Sequence, residues 1–113
     1  MTLSVSAFIC RPDGEREYIS LPSELAGFEN ARTTFYGGDC AVQLGLKLLP
    51  QLRDTELTVC GPMLSELLAE VSILLEVLPD GEEGEYWRFR LNNIKVAIEH
   101  ASAHGDAGCV WIA

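Results

Sequence analysis

Basic residues are scarce in this 113-residue chain, which has 8 Lys and Arg against 17 Asp and Glu and a formal net charge of −9. The shortage is concentrated in residues 54–87, which contain nine acidic residues and no Lys or Arg. The remaining eight acids are matched by eight bases, so the whole net charge belongs to that stretch. Because phosphate groups would be repelled by this charge, we expect no nucleic acid and no membrane as a direct partner.

Long apolar runs are also absent, since no segment approaches the roughly 18 residues that indicate a membrane-spanning helix. The N-terminal sequence MTLSVSAFIC lacks the basic residues that open a secretory signal, which predicts a cytoplasmic protein. No two cysteines form a CxxC pair, so we expect four reduced thiols, with at least Cys10 and Cys109 shielded by a sheet. A contact between those two residues is conceivable if the first and last strands are neighbours. The four cysteines are Cys10, Cys40, Cys60 and Cys109.

Motifs that carry known catalytic chemistry are missing as well: the chain contains no GxGxxG, phosphate-binding lysine loop, GxSxG or HExxH. Two small constellations leave an enzymatic alternative open. Cys40 follows Gly-Gly-Asp near a helix start, where a thiol can be activated. His100 and His104 have the spacing of two metal ligands on one helix, although a third ligand is lacking. The sequence therefore predicts a non-enzymatic protein without metal or cofactor.

Patterned segments at both ends of the chain predict strands. LSVSAFI and EYISL flank the turn Arg11-Pro12-Asp13-Gly14, which indicates a hairpin, and GCVWIA closes the chain as a further strand. Residues 22–38 are weakly patterned, and Ser23 and Glu24 are able to open a short helical turn there. The strand-like segments lie at 3–9, 17–21, 32–37, 108–113 and, as a brief strand or an extended lead-in, 56–59.

Three helices are predicted between the terminal strands. A short one begins near Asp39 and ends at Pro50. Leucine and valine at helical spacing predict a second helix over 62–78, started by Gly61 and Pro62 and stopped by Pro79. A third runs from about Glu85 to His104, and the short connection predicts antiparallel packing. We expect one α+β domain over residues 1–113, with a small antiparallel sheet covered by this helical hairpin and the short helix.

Acidic residues crowd the connection LPDGEEGEYW at 78–87. Carboxylates at the C-terminal end of the 62–78 helix oppose its dipole, so local stability alone would favour Lys or Arg there. We therefore predict that the acidic stretch is a binding face for a basic protein partner, with a tyrosine at its edge as an apolar anchor. The candidate partner-binding residues are Glu66, Glu70, Glu76, Asp80, Glu82, Glu83, Glu85 and Tyr86.

The acidic helix, together with YWRFRLNNIKVAIEHA and the terminal GCVWIA, resembles the small bacterial immunity proteins of polymorphic and contact-dependent toxin systems. The resemblance covers residues 36–113. It implies a protein that binds and neutralises a cognate toxin domain, such as a nuclease, through an acidic surface matched to a basic active site. No binding residue of that family is carried over, so the candidates above come from charge and exposure. The alternatives are a small subunit or adaptor of a larger complex, and a small enzyme that uses Cys40 or the two histidines.

Overall fold

The computed structural model describes residues 2–113, in which five strands form one antiparallel sheet. The sheet order is β2-β1-β5-β4, and β3 pairs with the beginning of β1. The N-terminal hairpin and its pairing with the C-terminal strand are confirmed, and the segment near residue 57 is a strand. The strands are β1 (Thr2–Cys10), β2 (Arg16–Ile19), β3 (Leu25–Phe28), β4 (Leu57–Cys60) and β5 (Gly108–Ile112).

One face of the sheet is covered by helices, as the alternation in β1 predicts. Leu3, Val5 and Ala7 are fully buried, whereas Ser4 between them is exposed, because successive side chains of a strand point to opposite faces. Helices α2 (Met63–Val77) and α3 (Glu82–Ser102) pack on each other and on this face. The predicted α+β architecture with an antiparallel helical hairpin is confirmed. Among residues 2–113, no helix combines the length and apolar character needed to cross a membrane.

The short helix near Asp39 is present but ends earlier than predicted. Helix α1 covers only Asp39–Gln43, and Gly45 adopts a φ of 81° after it. Gly45 donates its N–H to the carbonyl of Val42, and Leu46 donates to Ala41, which is the hydrogen-bond pattern of a glycine helix stop. Pro50 is therefore not the terminator, and it lies at the beginning of a 3-10 helix over Leu49–Arg53.

Two predictions for residues 22–38 are wrong. The region near Ser23 leads into strand β3 rather than a helical turn, and residues Arg32–Tyr36 form a π-helical turn rather than a strand. Tertiary packing overrides the strand propensity of this segment. The ring of Phe35 stacks on Trp87 at 3.8 Å, and the buried Tyr36 hydroxyl donates to the carbonyl of Ala26 at 2.6 Å. Burial raises the pKa of the Tyr36 hydroxyl above its usual range, which keeps the donor protonated.

The cysteine predictions are also corrected. Cys60 and Cys109 are paired residues in the β4–β5 register, with Cα atoms 4.1 Å apart, and they form a disulfide. Only Cys10 and Cys40 are free thiols, and both are exposed, so Cys10 is not shielded although Cys109 is buried. Cys10 of β1 pairs with Arg16 of β2, and Cys109 of β5 pairs with Phe8 of β1. Cys10 and Cys109 are therefore not partners in the sheet.

Candidate functional site

The predicted acidic residues are not all at the same end of the helical hairpin. Glu66 lies in the first turn of α2, whereas Glu76 and the later acids lie around the connection that joins α2 to α3. At about 1.5 Å per residue, the separation of ten positions between Glu66 and Glu76 corresponds to about 15 Å of helix. We use the name acidic hairpin end for the group near the connection, which consists of Glu76, Asp80, Glu82, Glu83 and Glu85.

Helix α3 begins at Glu82, three residues before the predicted start, and this changes the electrostatics of the connection. Glu82, Glu83 and Glu85 all lie in its first turn, where the positive end of the helix dipole stabilises carboxylates. Glu66 has the same favourable position at the beginning of α2. The expectation that these acids oppose a helix dipole is therefore wrong. Among the predicted acids that lie within a helix, only Glu76 opposes the helix dipole, because it lies in the last turn of α2, where no basic residue is present.

The early start of α3 depends on two glycines, one just before the helix and one in its first turn. Gly81 precedes the helix with a φ of 105°, in the left-handed region that favours glycine, and its carbonyl accepts the N–H of Glu85 at 3.0 Å. A Cβ atom at Gly84 would lie 1.8 Å from the carbonyl oxygen of Pro79. Only glycine fits there, so the first turn of α3 packs directly against the connection and presents its carboxylates around it.

Glu70 does not belong to a free binding surface. Its carboxylate accepts hydrogen bonds from the backbone N–H groups of Lys47, Leu48 and Leu49 at 2.9–3.1 Å. Leu49 begins the 3-10 helix over Leu49–Arg53, and Lys47 and Leu48 precede it; N–H groups at the beginning of a helix have no partner within it. The structure therefore gives Glu70 a structural function: it fastens the segment after α1 to the middle of α2.

The other predicted carboxylates remain exposed. Glu85 forms an ion pair with Arg88 at 2.5 Å, so part of the charge in the first turn of α3 is neutralised by a base just beyond the base-free stretch. Within residues 2–113, no ion pair or side-chain hydrogen bond involves the remaining acids of the predicted face. These acids are Glu66, Glu76, Asp80, Glu82 and Glu83.

Tyr86 lies beside the acidic hairpin end in an aromatic group that the sequence did not reveal. Its ring stacks on Phe28 of β3 with centroids 6.4 Å apart, and it meets Trp87 edge-on at 5.0 Å. The guanidinium of Arg90, one helical turn later, lies 3.5 Å from the centre of the Tyr86 ring. Trp87 packs against the core, as its helical spacing predicts. The pairing with Phe28 crosses from α3 to β3, which is why no local pattern signalled it.

The two enzymatic alternatives gain no partner groups from the fold. Cys40 is exposed and borders a pocket of about 140 Å³ with Glu83 and Trp87, but neither histidine lines that pocket. His100 is exposed in α3, and His104 lies beyond the end of that helix at Ser102. Within residues 2–113, no group of three or more His, Cys, Asp and Glu side chains is arranged to hold a metal ion.

Comparison with protein-family models, curated proteins and solved structures returned no match.

Proposed function

We propose that this protein is a non-enzymatic binding protein, an immunity-type inhibitor that neutralises a basic toxin domain such as a nuclease. The supporting observation is an exposed acidic surface in a 34-residue stretch, 54–87, that contains no Lys or Arg. Helix dipoles account for the acids in the first turns of α2 and α3. They do not account for Glu76 and Asp80, nor for a last turn of α2 without a base, where a cation would be favourable.

The acidic hairpin end is the part of this surface with the highest density of charge. Four of its carboxylates come from six consecutive residues, 80–85, and only Glu85 is paired with a base. Carboxylates that converge on one exposed end accelerate the encounter with a basic surface, because long-range attraction orients the two molecules before contact. Glu66 lies outside this group, and Glu70 is engaged by backbone, so the proposed binding face is smaller than the sequence predicts.

The proposed partner determines the expected location in the cell. A cytoplasmic protein meets a toxin that enters or is made in the same compartment. The Cys60–Cys109 disulfide, by contrast, is a bond that oxidising compartments favour. Trapping thiols by alkylation in intact cells, followed by a count of the modified cysteines, would distinguish the two. Four modified thiols would support the cytoplasm, and two would support an oxidising compartment.

Association kinetics with the basic toxin domain encoded by a neighbouring gene test the proposal. In one variant, Asp80, Glu82, Glu83 and Glu85 are replaced by Asn or Gln. The control removes the same number of charges from exposed acids outside residues 54–87 that make no ion pair: Glu15, Glu24, Glu99 and Asp106. We expect the first variant to associate at least about tenfold more slowly at low salt, with a flatter salt dependence. The control should change less.

Three outcomes would reject this proposal. The first is a toxin domain that retains full activity in the presence of excess inhibitor. The second is an association rate that responds to neither ionic strength nor the first variant. The third is an equal loss in both variants, since that result would assign the effect to net charge rather than to the acidic hairpin end.

A further inference from the structure

A small pocket opens beside the acidic hairpin end, between β3 and the first turns of α3. Its volume is about 240 Å³, and Phe28, Tyr86 and Arg90 form its most distinctive walls. Leu25 and Phe28 keep about half of their surface exposed, so apolar groups are presented at the entrance. We call this site the Arg90 pocket; its lining residues are Thr2, Leu25, Gly27, Phe28, Tyr86 and Arg90.

Arg90 has unused hydrogen-bond donors in this pocket. Its guanidinium carbon lies 3.5 Å from the centre of the Tyr86 ring and 5.4 Å from the centre of the Phe89 ring. Within residues 2–113, its one hydrogen bond runs from Nη1 to the carbonyl of Tyr86 at 3.3 Å. The Nε–H is buried and has no acceptor, so a group from outside cannot reach it, whereas Nη2 has no hydrogen-bond partner within residues 2–113 and is not buried. An accessible charged donor without a partner is available to an acceptor on another molecule.

The acids next to Phe28 and Tyr86 in the sequence are already paired with other arginines. Glu29, which follows Phe28, pairs with Arg32 at 2.5 Å, and Glu85, which precedes Tyr86, pairs with Arg88 at 2.5 Å. Within residues 2–113, Arg90 forms no ion pair, in an otherwise acidic part of the surface. A carboxylate carried by another molecule would complement the charge of Arg90.

The size of the pocket indicates which kind of molecule carries the carboxylate. Sites for cofactors and small molecules typically enclose about 300–1,000 Å³, so the Arg90 pocket is smaller than that range. A space of this size suits one apolar side chain of a binding partner. Tyrosine and arginine are the residues that most often dominate protein interfaces, and an aromatic wall with a stacked guanidinium presents both.

We propose that the Arg90 pocket is a docking site for a protein partner that inserts an apolar side chain adjoining a carboxylate. The apolar group would pack between Phe28 and Tyr86, and the carboxylate would accept hydrogen bonds from Arg90. This inference rests on the proposed function in taking the partner to be a protein. The two surfaces then have different roles. The acidic hairpin end accelerates association with a basic partner, and the Arg90 pocket slows dissociation.

A titration of the intact protein with N-acetylphenylalanine tests the chemistry without a partner. This probe carries a ring and a carboxylate; N-acetylphenylalaninamide lacks the charge, and acetate lacks the ring. We expect saturable NMR shifts of the Arg90 guanidinium and the Tyr86 ring with the first probe, and at least tenfold weaker binding of the other two. Equal binding of the acid and the amide would overturn the proposal, as would shifts confined to other residues.

Two variants and a matched control give a second readout. Arg90→Gln removes the guanidinium, and Phe28→Ala removes an exposed ring. Each should abolish the shifts caused by N-acetylphenylalanine. Arg16→Gln is the control, because Arg16 also lies on an aromatic ring, at 4.4 Å from the centre of Phe8, on another part of the sheet. It should leave the titration unchanged. Retained binding in both pocket variants would overturn the proposal.

Dissociation from the basic toxin domain at high salt separates this inference from the proposed function. Arg90→Gln and Phe28→Ala should each raise the dissociation rate at least tenfold while the association rate changes little. If the acidic variant slows association but the pocket variants leave dissociation unchanged, only the Arg90 pocket is rejected. If the probe binds but no toxin domain is inhibited, the proposed function is rejected instead. A dimer of this chain that either pocket variant disrupts would assign the pocket to a second copy and overturn the proposal.

Discussion

The two ends of the α2–α3 hairpin differ in how they are built. At the open end, β4 leads into α2 and β5 follows α3, and the disulfide between Cys60 and Cys109 joins these strands covalently. The N–H of Gly61 also donates to the carbonyl of Gly108 at 3.0 Å. At the closed end, a short connection carries exposed carboxylates, and the adjoining Arg90 pocket has an unpaired donor. The disulfide lies at the open end, and the acidic hairpin end lies at the closed end.

Glu70 extends this comparison into the middle of the hairpin. It belongs to the same base-free stretch as the acidic hairpin end, yet its carboxylate is held by three backbone N–H groups. Acidic residues of one helix therefore serve different purposes, and only their neighbours reveal which. A carboxylate with several backbone donors stabilises the fold, whereas an exposed one without a partner is available for recognition.

Removal of the disulfide should have the largest effect on stability. Replacing Cys60 and Cys109 by Ser opens a cross-link between residues 49 positions apart, which should lower the free energy of unfolding by about 2–4 kcal/mol. Urea denaturation of the variant and the parent measures this difference. Cys10→Ser/Cys40→Ser is the matched control and should leave stability nearly unchanged, since both thiols are exposed. Equal midpoints for the disulfide variant and the parent would contradict the assignment of cross-linking to the open end.

Loss of the Glu70 carboxylate should come next. Glu70→Ala leaves the N–H groups of Lys47, Leu48 and Leu49 without their acceptor, which should cost about 2 kcal/mol. Glu66→Ala, on the same helix, removes an exposed carboxylate without a hydrogen-bond partner and should cost no more than about 0.5 kcal/mol. Hydrogen exchange at residues 47–49 should accelerate only in the first variant. Similar costs for both variants would show that Glu70 is no different from the exposed acids.

Neutralisation of the acidic hairpin end should have the smallest effect, and its sign is informative. Changing Asp80, Glu82, Glu83 and Glu85 to Asn or Gln removes three carboxylates from the favourable end of α3, which should lower stability by about 1 kcal/mol. From the sequence alone, in which these acids oppose the dipole of α2, the expected stability is unchanged or slightly higher. Thermal unfolding against the control variant, which lacks the carboxylates of Glu15, Glu24, Glu99 and Asp106, decides between the two signs.

Local patterns predicted the elements that are long or end at a strong signal. The alternating segment of β1 and the leucine spacing of α2, stopped by Pro79, were found within one or two residues. The start of α3 was missed by three residues, because two glycines in the connection indicated a turn while Gly84 lies within the helix. Strand propensity at residues 32–36 was misleading because Phe35 and Tyr36 are fixed by contacts with Trp87.

The candidate site was predicted in part. Position along the chain was sufficient to mark Asp80, Glu82 and Glu83 as exposed acids. It could not show that Glu70 contacts a loop more than twenty residues earlier, or that Glu85 pairs with Arg88. Arg90 was not a candidate at all, because its importance depends on Phe28, which lies more than sixty residues away in the sequence.

By itself, the sequence determined the amount and position of charge, the terminal strands and the helical hairpin, because each depends on composition or on contacts between near neighbours. The tertiary structure decided the properties that depend on which elements become adjacent. Pairing of β4 with β5 places Cys60 opposite Cys109, packing of α2 against the segment after α1 gives Glu70 its backbone donors, and packing of α3 against β3 forms the Arg90 pocket. In each case the partners are distant along the chain, so no local pattern specifies them.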